Sequence, residues 1–186
     1  MISSSIFGCF IAYNYKEYGE TIVNNDSLLT LAGSLGCIAN SVGRIFWNIA
    51  FDYLSFKTIL TIINTCLLCY CILVYFITNG TVYVILVVLI YSSYGALYGL
   101  MPTQVFRLVG EKYGPLIYPF VFVGFTIASN SQFLFHELVV RNKGNDGFKI
   151  AFILYGGMQL ISIIQVQRFK FEYLPSEKRK LQKSLS

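Results

Sequence analysis

The side chain with the clearest chemical potential is Arg44, which is the one charged residue between Asp26 and Asp52. At helical spacing, Arg44 shares one face with Asn40 and Trp47. A guanidinium presents a fixed fork of donors, so it can hold a carboxylate through two charge-assisted hydrogen bonds. This pattern predicts a site for a small organic anion, contacted by Arg44, Asn40 and Trp47.

Small residues lie on the same helical face as Arg44. Gly36 and Gly33 precede it by about two and three turns. Glycines at such positions are typical of closely packed helices, and Gly95-x-x-x-Gly99 predicts the same. Close packing explains the glycines but not a cation. We therefore expect this helix both to pack closely against a neighbouring helix and to present Arg44 for a separate purpose.

The sequence contains few of the residues that catalytic sites and metal sites require. His136 is the single histidine, so no Ser-His-Asp arrangement or histidine-rich metal site is predicted. Cys66-x-x-Cys69 has no second pair at zinc-binding spacing. All five cysteines fall in apolar segments and are expected to pack as small hydrophobic residues: Cys9, Cys37, Cys66, Cys69 and Cys71. We therefore predict a protein that is not an enzyme and has no catalytic residue, metal or cofactor.

A second mixed face lies on the segment Tyr113–Phe135. Its members combine aromatic and polar side chains at helical spacing: Tyr118, Phe122, Phe125, Ser129 and Gln132, with Asn130 beside them. Gln132 is a candidate contact for the same anion. The alternative is a bundle core in which Ser, Asn and Gln make hydrogen bonds between helices.

The elements that must position these residues follow from the composition. The 186 residues are 55% hydrophobic and only 12% charged, against roughly 25% charged in soluble domains. A mean hydropathy of +0.62 agrees with a membrane protein. Disordered, fibrous and nucleic-acid-binding classes are excluded, because they need polar bulk or a dense basic surface.

Long uncharged runs define the membrane-spanning helices. No charged residue and no histidine occurs from Thr58 to Phe106, a run that can cross a bilayer twice at about 20 residues per crossing. Helices are expected because lipid leaves unpaired backbone groups without partners. The sequence predicts an all-α, polytopic bundle with five full spans: Ser27–Phe51, Thr58–Thr78, Thr81–Met101, Tyr113–Phe135 and Ile150–Gln167.

The N-terminal segment is uncharged from Met1 to Tyr15 but short for a span. As a helix it would reach about 22 Å, less than a bilayer core. We interpret it as the trailing part of a sixth span. A signal peptide is the alternative, although no basic residue precedes Ile6 and no convincing cleavage site precedes Lys16.

The positions of Lys and Arg predict the orientation. With the N-terminus inside, most of the fourteen Lys and Arg residues lie on the cytoplasmic side, including Arg107 and Lys112. Residues 168–186 form a basic cytoplasmic tail, whose Lys178-Arg179-Lys180 cluster can bind anionic lipid or simply fix the topology. Asn79-Gly80-Thr81 predicts a turn, and it also matches a glycosylation acceptor.

Arg44 then lies inside a span, which gives it two interpretations. It is seven residues before Phe51, about 10 Å from the end of that span. An arginine at this depth can extend its head towards the membrane surface as an anchor. Alternatively, it lines a central cavity and binds a substrate carboxylate.

The stretch around Arg44 resembles a known family. Gly43-Arg44-Ile-Phe-Trp47-Asn-Ile-Ala-Phe-Asp52-Tyr-Leu-Ser-Phe-Lys57 is similar to a helix and short cytoplasmic loop of the major facilitator superfamily. Its Gly-Arg pair resembles the oxalate/formate antiporter-like and monocarboxylate porter branch. Tyr98-Gly99-Leu-Met-Pro102 is similar to a later helix of that branch. The resemblance aligns residues 1–167 with the C-terminal six-helix half of such a transporter.

The resemblance implies roles for individual residues. Asp52 and Lys57 match positions of the gating loop, and Arg44 matches an arginine taken to bind the substrate carboxylate. The loop departs from the family pattern at Asn48, at Tyr53 and at Ser55. The family's second cation for a dicarboxylate has no counterpart, since Tyr113–Phe135 contains no Lys or Arg. One carboxylate is therefore the expected substrate group.

These expectations combine into one functional hypothesis and one alternative. The hypothesis is transport of a small organic anion, such as a monocarboxylate, by alternating access between two six-helix bundles. The partners are then the lipid bilayer, the anion, and either an N-terminal half missing from this sequence or a second copy of the chain. A truncated sequence is the simpler expectation. The alternative is a non-transporting membrane subunit or remnant that only packs with partner helices.

Overall fold

The computed structural model describes residues 2–169, which form a bundle of helices without strands. The helices are α1 (Ile2–Glu20), α2 (Asp26–Tyr53), α3 (Phe56–Phe76), α4 (Gly80–Gly110), α5 (Lys112–Lys143) and α6 (Asn145–Arg168). The predicted basic tail lies outside the described residues beyond Phe169. The all-α prediction is confirmed.

Five of these helices, α2 to α6, are long and apolar enough to cross a membrane. The chain is therefore an integral membrane protein with several spans. The helix α1 is 19 residues long, about 28 Å at 1.5 Å per residue, and extends through Lys16 and Glu17. It is longer than the predicted Met1–Tyr15, because a helix continues past the point where its residues become charged.

Polar side chains begin three of the helices. Asn25 accepts a hydrogen bond from the Leu28 amide at the start of α2, and Ser55 accepts one from the Thr58 amide at the start of α3. Asn79 accepts from the Thr81 amide at the start of α4. These side chains satisfy amide groups that a helix leaves without internal partners. The connection is residues 77–79, so of the predicted turn at 79–81 only Asn79 lies in it, while Gly80 and Thr81 already belong to α4.

The helices α4 and α5 meet at a single break. Gly110 has φ 79° and ψ 171°, a conformation that side-chain-bearing residues rarely adopt, and the helical backbone resumes directly afterwards. The helical backbone therefore continues nine residues past the predicted span end at Met101. It changes from α-helix to a π-helical turn after Phe135, where the other predicted span ends. An uncharged run marks the part of a helix that lies in hydrocarbon, and both helices continue beyond that part.

The bundle has two ends, which we name by their contacts. At the tail end, α2, α4 and α6 finish where α1, α3 and α5 begin; Ser3, for example, donates to the Gln165 side chain across 3.2 Å. At the turn end, the Lys16 ammonium pairs with Asp26 across 2.6 Å. The Asp26 carboxylate raises the pKa of Lys16, because it accepts a hydrogen bond from the ammonium. The six helices therefore alternate in direction along the chain.

Glycines allow α2 and α4 to pack with their backbones in contact. A Cβ at Gly43 would clash with the Ser92 carbonyl, and one at Gly95 would clash with the Asn40 carbonyl. The predicted close packing at Gly36 and at Gly99 is also observed, against Tyr91 and against Asn48. Small residues thus bring the helix carrying Arg44 against the most buried span, α4.

The helix α1 lies in the core and joins a buried polar network. Its Ser4 hydroxyl is 2.5 Å from the Ser162 hydroxyl on α6, which donates to Asn64 on α3 across 3.2 Å. The Gln159 amide donates to the Ser4 carbonyl at 3.3 Å. All four side chains are buried. Hydrogen bonds of this kind connect three helices where lipid offers no alternative partner.

The cysteines divide between the core and the bundle surface. Cys9 and Cys71 are buried, as predicted, and Cys66 is half-buried. The core prediction is wrong for Cys37 and for Cys69, which are exposed on α2 and α3. An apolar span has a lipid-facing side as well as a core side, so hydrophobicity alone does not predict which side a cysteine occupies.

Candidate functional site

Arg44 lies well inside α2, nine residues or about 13 Å from the helix end at Tyr53. Its guanidinium donates from Nε and from Nη2 to the Asn40 Oδ1 atom, across 3.1 and 2.9 Å. Asn40 lies one turn closer to the middle of the helix. The charged head therefore extends into the span, away from the tail end. This direction is opposite to that of an interfacial anchor at the tail end.

Asn40 is itself held in position by α4. Its Nδ2 atom donates to the Tyr91 carbonyl across 3.2 Å, so its oxygen is directed towards Arg44. The close approach of Gly95 to Asn40 permits this contact. The predicted pair of Asn40 and Arg44 is thus brought together, and α4 orients it through one amide.

An aromatic wall stands beside Arg44. The guanidinium carbon is 5.2 Å from the centre of the Tyr98 ring, within the range of a cation–π contact. That ring stacks on Phe125 of α5 with centroids 4.4 Å apart. Tyr118 lies within electrostatic range of Arg44 and packs edge-on against Phe122. Helices α2, α4 and α5 therefore converge on the arginine.

Arg44 has no carboxylate partner among residues 2–169. The ion pairs there join Lys16, Arg107, Arg141 and Lys149 to acidic groups, and the His136 ring lies 3.5 Å from the Glu17 carboxylate. The two bonds to Asn40 use two of the five guanidinium N–H groups, which leaves three as donors. The remaining donors are enough for a bidentate contact with a carboxylate.

The other two predicted contacts lie in different places. Trp47 is half-buried against the core and its ring contacts Phe46, with centroids 5.3 Å apart. Gln132 is buried about two turns beyond Phe125 on α5, beside Tyr155 of α6. Among the described residues, the hydrogen bonds and the ring contact of the Arg44 guanidinium go to Asn40 and Tyr98, and not to Trp47 or Gln132. Gln132 belongs to the interior between α5 and α6, but neither Nε2 nor Oε1 of its side chain has a hydrogen-bond partner among the described residues, so the bundle-core alternative is not confirmed for it.

The predicted gating residues both join helix ends at the tail end. Asp52 Oδ1 pairs with Arg107 Nη2 across 2.8 Å, which links the end of α2 to α4. Arg107 also donates to the Phe51 carbonyl at 3.3 Å and lies 4.0 Å from the centre of the Phe51 ring. Lys57 donates from Nζ to the Gln167 carbonyl at 2.6 Å, which links the start of α3 to the end of α6.

The structure offers little for metal or acid–base chemistry within residues 2–169. Within residues 2–169, no three His, Cys, Asp or Glu side chains are grouped so that they could hold a metal ion. The His136 Nε2 atom lies 3.5 Å from Glu17 at the turn end, in a π-helical turn spanning His136–Val140. This pair connects α5 with α1 and is distant in sequence from Arg44.

No family model matches this chain, and no curated protein or solved structure matches it significantly.

The structure adds a surface feature that sequence reasoning did not find. An exposed polar stripe runs along α2 at intervals of three and four residues: Thr30, Ser34, Cys37, Ser41 and Arg44. The Ser34 and Ser41 hydroxyls donate to carbonyls one turn earlier, at 3.1 and 3.2 Å. The spacing is visible in the sequence, but its exposure depends on how α2 packs. We call this surface the α2 polar stripe.

Proposed function

We propose that this membrane protein binds a small monocarboxylate at Arg44 and carries it across the bilayer as one six-helix half of an alternating-access transporter. The supporting observation is the direction of the Arg44 guanidinium, which extends into the span and has no acidic partner among the described residues. An ionised side chain at this depth is costly unless it faces water, a partner or a ligand. A bound carboxylate would neutralise it.

The surroundings of Arg44 favour one carboxylate attached to a small apolar body. Tyr98 and Phe125 supply aromatic surface next to the guanidinium. The nearby span α5 carries no Lys or Arg between Tyr113 and Phe135 that could bind a second carboxylate. Arg44 would hold the anion, Asn40 would orient Arg44, and Tyr98 would contact the apolar part of the substrate.

The α2 polar stripe supports the remainder of the proposal. Polar side chains on the exposed side of a span are rare when that side faces lipid, and they usually border a cavity or another helix. In this proposal the stripe faces a water-filled pathway between this bundle and a second one, which is either another segment of a longer protein or another copy. The Asp52–Arg107 and Lys57–Gln167 contacts would hold the tail end in one gate conformation.

The test is uptake of a labelled monocarboxylate by the full-length protein in proteoliposomes. We expect Arg44→Ala to raise KM by about ten- to a hundredfold, since a hydrogen bond to a charged group contributes roughly 1.5–3 kcal/mol. Arg141→Ala is the matched control, because Arg141 is exposed at the turn end and pairs with Glu137. Uptake that is unchanged in Arg44→Ala would exclude the substrate role.

A second candidate is a subunit that packs against partner helices and transports nothing. The observation in its favour is that the Ser34 and Ser41 hydroxyls of the α2 polar stripe already have acceptors within their own helix, so a partner helix can cover them without loss. The two candidates differ in one experiment. Saturable exchange catalysed by the 186-residue chain alone in proteoliposomes would rule out the subunit.

A further inference from the structure

A cavity of about 730 Å³ opens at the tail end, and Arg44 is not among the residues that line it. Its walls come from α3, α4, α5 and α6, with Ser4 of α1 at its base, and most of its lining side chains are apolar. The apolar lining includes Phe56 of α3, Met101 and Val105 of α4, Val121 of α5 and Ile164 of α6. Ligand pockets in proteins have volumes of roughly 300–1,000 Å³, so this cavity is large enough for an organic ligand.

The cavity has the depth and the opening of a groove for a lipid chain. Along α6 it extends from Ile161 to Phe169, about 12 Å of helix, which is most of one leaflet of a 30 Å hydrocarbon core. Ile161, Ile164 and Phe169 line it while remaining more than half exposed. The groove is therefore open sideways to the bilayer.

The rim of the groove is cationic. Arg168 lines the cavity and has no acidic partner within residues 2–169. Lys57 is held next to it, because its ammonium donates to the carbonyl of the preceding residue, Gln167. That bond uses one of three ammonium donors and leaves two. Both cations also face the negative end of the α6 helix dipole, so their role there needs a test that separates helix stabilisation from ligand binding.

We propose that this groove binds one anionic phospholipid, with an acyl chain against Val105 and Val121 and the phosphate at Lys57 and Arg168. Charge complementarity supports this occupant, since basic pockets between helices at a membrane surface bind anionic head groups. The site is different from the predicted lipid contact of residues 178–180. It does not depend on transport, so it can fail while the proposed function stands.

The test counts lipids that stay bound to the full-length protein in native mass spectrometry. The probes are phosphatidylglycerol and phosphatidylcholine with identical acyl chains. We expect phosphatidylglycerol to be retained about 25-fold better, from roughly 1 kcal/mol for each of the two cations. Lys57→Gln and Arg168→Gln should each reduce that preference about fivefold, because a cation near the membrane surface contributes roughly 1 kcal/mol to such attraction. Arg141→Gln, an exposed cation at the turn end, should leave it unchanged.

A second pair of variants tests the acyl-chain part of the proposal. Val121→Trp fills the groove, whereas Val123→Trp places the same ring on the exposed side of α5 outside it. We expect only Val121→Trp to reduce phosphatidylglycerol binding, by fivefold or more, with helix content preserved in circular dichroism. Millimolar glycerol phosphate should not displace the lipid.

Three results would overturn the proposal. The first is equal retention of the two lipids by the wild-type protein. The second is unchanged phosphatidylglycerol binding in Val121→Trp. The third is displacement by glycerol phosphate, which would indicate a site for a free phosphate group.

Discussion

At Gly43 the bundle leaves no room for a side chain. An added Cβ would lie 2.9 Å from the Ser92 Cα atom and closer still to its carbonyl oxygen. Because backbone cannot rotate away as a side chain can, α2 and α4 would have to separate. We expect Gly43→Ala to destabilise the protein by about 1–3 kcal/mol and to lower its melting temperature in detergent.

Gly157 provides the matched control for that variant. It also lies inside a helix, α6, but nothing is within 4 Å of an added Cβ. Gly157→Ala should leave the melting temperature unchanged or raise it, since glycine is up to about 1 kcal/mol less favourable than alanine in a helix. Equal losses in both variants would show that α2 and α4 leave room for a Cβ at Gly43, against the 2.9 Å approach to the Ser92 Cα atom.

The sequence indicated Arg44 as a candidate but could not assign its direction. Spacing placed Asn40 and Arg44 on one face, and the structure joins them by two hydrogen bonds. The position of Arg44 alone was equally compatible with an anchor at the membrane surface. The contact between Asn40 and the Tyr91 carbonyl makes the difference, and it depends on the packing of α4, which helical periodicity does not predict.

At the scale of helices, uncharged runs predicted where each span crosses but not where it ends. Helix α4 continues through Pro102 and Arg107 to Gly110, because a helix outside hydrocarbon no longer needs apolar residues. The sequence also did not predict which helices pack against each other. Gln132 looked like a wall of the Arg44 site by its spacing, yet the rotation of α5 directs it towards Tyr155.

The contact between the ends of α2 and α4 leads to a prediction about coupling. The pair is partly shielded, since the Arg107 side chain is 26% exposed and that of Asp52 65%. In a double-mutant cycle with Asp52→Asn and Arg107→Gln, we expect a coupling free energy of about 0.5–1 kcal/mol in unfolding that decreases in high salt. Arg107 also contacts Phe51, and these contacts do not involve Asp52. Arg107→Gln should therefore still lower the free energy of unfolding when it is made in the Asp52→Asn variant.

The Glu137–Arg141 ion pair serves as the control for the Asp52–Arg107 double-mutant cycle. Its members lie one turn apart on α5, so their coupling does not link two helices. We expect about 0.3–0.5 kcal/mol for this pair. If the Asp52–Arg107 coupling is no larger than zero, the two helix ends are not held together by this contact.

At the scale of the whole molecule, the α2 polar stripe predicts where water reaches the bundle. In a cysteine-free background, Ser41→Cys should react with a membrane-impermeant maleimide, because Ser41 lies one turn from Arg44 on the proposed aqueous side. Ile153→Cys is the control, since Ile153 is 70% exposed on α6 but is surrounded by other exposed apolar residues. Labelling is measured by the mass increase of the protein.

The outcome separates the two candidate functions. Reaction at Ser41→Cys alone fits an aqueous pathway beside Arg44. Protection of both cysteines would contradict that pathway, and it would favour a stripe that is covered by partner helices.

The short connections between helices determine how far each helix can move. The connections at Gly110, between α4 and α5, and at Gly144, between α5 and α6, are one or two residues long. Residues 54–55 connect α2 to α3, and residues 77–79 connect α3 to α4. At about 3.6 Å per extended residue, these connections hold the ends of consecutive helices within about 11 Å of each other. Residues 21–25 can extend to about 18 Å. Rearrangements are therefore expected to displace α2 to α6 as a linked series. The longer connection would let α1 tilt only if the Lys16–Asp26 pair and the buried Ser4–Ser162 contact were also broken.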